Sequence, residues 1–228
     1  MIVHTEAVVL KRFPFGETSM IARCLTRGEG KVSVMVRGAK KKKPHYISFF
    51  QPINYLDLIY HFKPKRSIQI TSKVTYQRIW SKYQNNLKHM SYGLALMEIT
   101  DKATINNDPH PDLFDELVSV LHKMDTQENR LNILFWYYEM KLLTLLGFKP
   151  NLSTERIPEA TFMDPDGSPN SRDILEALQN HSLNSIPDLS ITAKDRKTVG
   201  AFLTGYIRYY FDYSGPLHSF EFMKKLNF

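Results

Sequence analysis

The sequence predicts an α+β protein: a small five-stranded β-barrel over residues 1–80, then an α-helical domain over residues 81–228 with an irregular insert near 147–172. Three observations predict it. Five short runs that are β-branched, alternating or densely apolar, separated by turn signals, end near Thr75; beyond Asn85 the apolar spacing lengthens to three or four residues; and the charge balance changes sign near the same place.

The strands follow in order. Ile2 to Leu10 is rich in β-branched residues, and the turn-forming Phe13-Pro14-Phe15-Gly16-Glu17 ends it. Met20 to Thr26 is the second strand, closed by Arg27-Gly28-Glu29-Gly30, a tight turn in which glycine can take positive φ. Lys31 to Arg37 alternates Val32 and Val34 with Ser33, and Gly38 to Ser48 reads as a loop. Gln51 to Phe62 is apolar enough to be mostly buried. Lys63-Pro64-Lys65-Arg66 turns the chain, and Ser67 to Thr75 alternates again. Five short strands in about 80 residues suit a barrel of the OB type, the five-stranded barrel that binds oligonucleotides.

Met90, Leu94, Met97 and Ile99 share one helical face, and that helix ends near Asp101–Lys102. Asp112 is the expected N-cap of the next helix, through Leu113, Leu117, Val120 and Leu121. Residues 129–146 form a helix apolar on nearly every side, with Gly147 as its C′ residue and Pro150 as a stop. Short helices are expected near 172–180, 193–213 and 219–226. Thr192 caps the second of these, with Asp195 completing a capping box.

Residues 1–80 carry 15 Lys and Arg against 4 Asp and Glu; residues 81–228 carry 15 against 19. A basic front on an acidic body points to a polyanion as the partner of the first domain. The single cysteine, Cys24, excludes an internal disulfide and any cysteine-based zinc site. No secretory signal or membrane-spanning run is read, and a single cysteine suits a reducing compartment, so the cytoplasm is the expected location.

The densest chemical signal is Arg37-Gly38-Ala39-Lys40-Lys41-Lys42-Lys43, five cations within seven residues of a predicted loop. Such a run contacts phosphate without reading sequence, or else is a solvated loop with no partner. Lys11, Arg12, Arg23, Arg27, Lys31, Lys63, Lys65 and Arg66 are candidates to extend the patch. Among the interleaved aromatics Phe13, Phe15, Tyr46, Phe49, Phe50 and Tyr60, at least half belong in a barrel core. Phe13, Phe15 and Tyr46, in turns or loops, are the stacking candidates. No catalytic constellation emerges. Asp164-Pro165-Asp166-Gly167 reads as a plain turn, not a calcium loop, and the histidines lack metal-ligand spacing. No catalytic residue, cofactor or metal is therefore expected. A nuclease using Asp112, Asp115 and Glu116 is the enzymatic rival, and an RNA-binding OB module the non-enzymatic one.

Several stretches, in order, resemble the RecO family of recombination mediators. They are Phe15-Gly16-Glu17, Leu25-Thr26-Arg27-Gly28-Glu29-Gly30-Lys31, Val36-Arg37-Gly38-Ala39-Lys40-Lys41, Leu142 to Pro150, and Tyr209-Tyr210 to Lys224. The resemblance covers nearly the whole chain. It implies an OB domain that binds single-stranded and also double-stranded DNA, annealing of complementary strands, and help in loading the RecA recombinase onto DNA coated with single-strand-binding protein. It implies RecR and the acidic C-terminal tail of the single-strand-binding protein as partners, the tail docking on the helical body, where Lys141 and Lys149 are candidates. Arg37, Lys40, Lys41 and Lys42 carry over as DNA contacts, and Lys31 and Arg27 less directly. Many relatives bind zinc through four cysteines after the stretch matching Leu142–Pro150. Residues 151–172 hold none, so local packing, with Phe162 and Met163, is expected to replace the metal.

Overall fold

A computed structural model describes residues 1–39, 45–152, 164–211 and 218–219 of the chain. The strands are β1 (Ile2–Phe15), β2 (Ser19–Thr26), β3 (Gly30–Val36), β4 (Tyr55–His61) and β5 (Ile68–Arg78). The helices are α1 (His45–Phe49), α2 (Lys82–Asn85), α3 (Leu87–Ala103), α4 (Pro111–Thr126), α5 (Leu131–Leu145), α6 (Ser171–Asn180) and α7 (Ala193–Tyr210). The strands close a barrel in the order β1-β2-β3-β5-β4, parallel at β3–β5 and antiparallel at the other pairs. The expected barrel and helical region are both present.

The chain divides into two compact units. The first holds the barrel and α1–α4, within Met1–Thr126; the second begins at Gln127 and holds α5–α7. In the first, Val9, Ala22, Cys24, Val32, Val34, Leu56, Leu58 and Tyr60 fill the barrel. Burial pushes the Cys24 thiol up to about 12, leaving it an inert apolar side chain. α3 packs on β1 and α4 on β2, so β1 is buried on both faces from Ala7 to Leu10.

Three local expectations change. β1 runs on through Pro14 to Phe15, its register shifting between Val9 and Lys11 so that Lys11 lies opposite Arg23. A short helix, α1, replaces part of the predicted 38–48 loop, with Phe50 beyond it in the core and Ile47 and Phe49 packed against it. α4 starts at Pro111, which places Asp112 in the first turn and not at the N-cap; proline's fixed φ suits that first position. The helix predicted near 219–226 and the packing role of Phe162 and Met163 lie outside the described residues.

In the second unit α5 ends as predicted. Gly147 has φ +88°, and the Phe148 and Gly147 amides donate to the Leu143 and Thr144 carbonyls. The Thr192–Asp195 capping box forms, and Asp195, fully buried, also accepts from the Asn170 amide at 3.2 Å and its Nδ2 at 3.1 Å. Arg172 ties together the two described ends of the cysteine-free stretch, donating to the Leu152 carbonyl and, at 2.5 and 2.6 Å, to Asp166. Burial raises the Asp195 pKa, but the hydrogen bonds from Thr192 and Asn170 outweigh it and hold the carboxylate well below its usual range. Asp195→Ala strands those donors and is expected to destabilise the unit by about 2–3 kcal/mol. Because the folded pKa is depressed, this stabilisation is present at neutral pH and lost as pH falls below about 4. Urea unfolding of Asp195→Asn across that range should therefore show a shallower acid dependence than the native chain.

Candidate nucleic-acid interface

In barrels of this strand order, oligonucleotides lie across β2 and β3, flanked by the β1–β2 and β4–β5 loops. The β1–β2 turn presents Phe15, 45% exposed. The β4–β5 loop presents Lys63, Lys65 and Arg66, all exposed. Buried Gln69 shapes that loop: its Oε1 accepts from the Lys63 amide and its Nε2 donates to the Lys63 and Arg66 carbonyls. Ile68 pairs with Ser33, so the loop leads into β5 alongside β3.

Arg37 follows β3 and is exposed. Gly38 turns the chain at φ +65°, and Ala39 is buried in the barrel core. Lys40, Lys41, Lys42 and Lys43 lie outside the described residues. On their far side Tyr46 is 41% exposed on α1. The lysine run is thus flanked on both sides by segments packed on the barrel.

Other candidates have protein partners. Arg12 donates to the Ile47 carbonyl at 3.0 Å, and burial lowers its pKa. Arg27 makes a two-pronged pair with Asp115 of α4, both contacts at 2.8 Å. Lys31 is buried, with Nζ 2.5 Å from the Asp101 carbonyl and 3.6 Å from Oδ1 of the same residue. Phe50 and Tyr60 are core residues, and the Phe49 ring lies 4.5 Å from that of Tyr76, tilted against it.

Asp101 was not singled out from the sequence. It is buried at the end of α3, and three cations from three strands meet it. Lys11 lies 2.6 Å from Oδ2, Arg23 lies 3.0 and 3.2 Å from its two oxygens, and Lys31 is the third. Burial pushes its carboxyl up, but the hydrogen bonds from Lys11 and Arg23 and the charges of Arg23 and Lys31 bring it below the usual carboxylate range. Desolvation and the neighbouring cations Arg23 and Lys11 lower the Lys31 pKa despite Asp101.

Among the described residues no three His, Cys, Asp or Glu side chains gather to hold a metal. Asp115, a member of the nuclease set weighed above, is bound to Arg27, and Asp112 is exposed in the first turn of α4. A four-cysteine zinc site does not fit this chain, because its one cysteine lies in the barrel core. No helix among the described residues is long and apolar enough to cross a membrane.

Residues 1–79 match the family described as recombination protein O N terminal, and residues 84–219 the one described as recombination protein O C terminal. A protein of Salinibacter ruber named DNA repair protein RecO is 28% identical over 94% of this chain and 90% of its own length. Proteins of the same name from Alkaliphilus metalliredigens and Exiguobacterium sibiricum are 29% and 32% identical. They align over 68% and 67% of this chain, and over 62% and 60% of their own lengths.

Proposed function

The chain belongs to the RecO family of recombination proteins, and from that premise we propose that it is a DNA-repair mediator that works by binding and not by covalent chemistry. Its barrel, residues 1–80, binds single-stranded DNA and also duplex DNA. It anneals complementary strands and, with RecR, helps load RecA onto DNA coated with single-strand-binding protein. The helical remainder, 81–228, serves partner binding, and the protein works in the cytoplasm on the nucleoid.

The observation that most supports this reading is the basic surplus of residues 1–80 on a barrel of OB strand order. Arg37, Lys40, Lys41, Lys42, Lys43, Lys65 and Arg66 neutralise phosphate so that two strands can approach, while Phe15 and Tyr46 hold bases unstacked. Arg12, Arg27 and Lys31 shape the surface through their protein partners. For the acidic tail, the end of α5 offers Lys149 beside an aromatic group in which Phe148 stacks on Tyr210 at 4.6 Å, with Leu145 38% and Tyr209 48% exposed; Lys141 is packed over Tyr137.

The test is single-stranded DNA binding against salt, for the native chain and for a variant with Lys40–Lys43 changed to Ala. Each phosphate neutralised contributes about −0.7 to the log–log slope, so the variant is expected to bind more weakly with a slope shallower by roughly 1–3 units. Equal binding by both proteins overturns the phosphate-clamp reading. A clear preference for RNA of equal length in competition favours an RNA-binding module instead.

A further inference from the structure

The outer face of β1–β2–β3 carries more positive charge than its own structure uses. Side chains alternate along these strands. With Ala22, Cys24, Val32 and Val34 filling the barrel, Arg23, Lys31 and Ser33 lie on the outside, joined by Lys11 opposite Arg23. The register places Lys11, Arg23 and Ser33 in one row across the face and Phe13, Ile21 and Met35 in the next. Three cations converge on the one carboxylate of Asp101. A buried ion pair needs one cation for each carboxylate, so two positive charges are left over at a partly dehydrated site. They are not equally placed. Lys31 is 8% exposed, whereas Lys11 keeps 43% and Arg23 27% of its side-chain surface open. The Arg23 guanidinium also lies 6.0 Å from the centre of the Phe13 ring, so an aromatic surface adjoins the open cations.

We propose that Lys11, Arg23 and Phe13 form a nucleotide-binding step on this face: the two cations hold one backbone phosphate of single-stranded DNA, and Phe13 stacks the adjoining base. Asp101 is a positioning residue. It fixes the Lys11 ammonium and the Arg23 guanidinium in place before the strand arrives, which lowers the ordering cost of binding. The two open cations and the Phe13 ring beside them suit a ligand bearing an anion and a planar ring, and inorganic phosphate satisfies only the first. The proposal rests on the barrel being the DNA-binding domain, and it adds a contact separate from the lysine run.

The experiment measures binding of a labelled oligothymidylate across a salt series. It uses the native chain, Lys11→Ala, Phe13→Ala and the Lys40–Lys43 alanine variant, each first checked for a native-like melting transition. Lys11→Ala is expected to make the log–log slope shallower by about 0.7, the value of one phosphate. Phe13→Ala is expected to weaken binding about 5- to 150-fold with the slope unchanged. A measurement on the native chain needs no variant: saturating oligothymidylate should slow acetylation of the Lys11 amine, and inorganic phosphate at matched ionic strength should not. If the lysine-run variant loses affinity while Lys11→Ala and Phe13→Ala bind like the native chain, the cluster is an internal ion pair only and this proposal is wrong. Slowing of Lys11 acetylation by inorganic phosphate to the same extent also overturns it, in favour of a simple anion site. If the native chain binds no DNA, the reading of the barrel itself fails, and this step with it.

Discussion

Gly30→Ala is expected to cost about 4 kcal/mol or more, enough to unfold much of a marginally stable protein. Two independent strains add at this position. The residue has φ +67°, which a side chain rarely adopts, and an added Cβ would lie 2.1 Å from the Asp108 carbonyl oxygen and 2.4 Å from its carbon. That obstacle is backbone and cannot rotate away. It is held there because the α3–α4 connection runs beside the start of β3, with the Asn107 amide donating to the Lys31 carbonyl and a parallel bridge from Lys31 to Asn106. Two neighbouring glycines separate the strains. Gly16 has φ +58° in open space, so its alanine variant should lose only about 1–2 kcal/mol. Gly28 has neither a positive φ nor a neighbour within 4 Å, and its variant should stay within about 0.5 kcal/mol of native. Urea midpoints in the order Gly28→Ala, Gly16→Ala, Gly30→Ala from highest to lowest support the account. A Gly30→Ala chain that unfolds with the Gly16→Ala chain rules out the backbone collision.

What was legible in the sequence was local. The Gly147 cap and the Thr192–Asp195 box are written within a few residues of one another, and both form. Turn chemistry likewise places Phe15, Lys65 and Arg66 on the surface, and the alternation of Val32 and Val34 sets the barrel interior. α1 was missed because five residues are too few to display a helical period, and the adjoining lysine run reads as loop. The extension of β1 was missed because Pro14 reads as a turn, although it sits opposite Met20 beside the β1–β2 turn. The site residues separate on the same principle. Arg27 and Lys31 look like surface cations, since a charged residue at a strand end is ordinarily solvated. Their partners, Asp115 and Asp101, lie 88 and 70 residues further along, where nothing local to the strand reveals them. Only the fold shows which cations the protein has already paired.

That pairing makes Asp101→Ala the second large effect expected. Removing the carboxylate leaves Lys31 buried with no counter-charge to offset its repulsion by Arg23 and Lys11. Breaking a buried pair from one side typically costs about 3–5 kcal/mol, because the stranded charge retains its desolvation penalty. The companion change Lys31→Met removes the stranded ammonium and keeps the apolar stem. The double variant Asp101→Ala, Lys31→Met is therefore expected to recover a large part of the loss, a coupling measurable in a double-mutant cycle by urea unfolding. Acid provides a second reading. The folded pKa of Asp101 is depressed, so its contribution is complete above about pH 4, the unfolded carboxylate range, and disappears as pH falls through the lower folded value. Native and Asp101→Ala stabilities should therefore converge as the pH falls through that lowered folded value, where the native carboxylate also becomes neutral. If the gap persists unchanged into acid, the loss is one of packing at the end of α3 and not of charge. Without its anchor, the face carrying Lys11 and Arg23 would also lose the fixed geometry on which a phosphate contact depends.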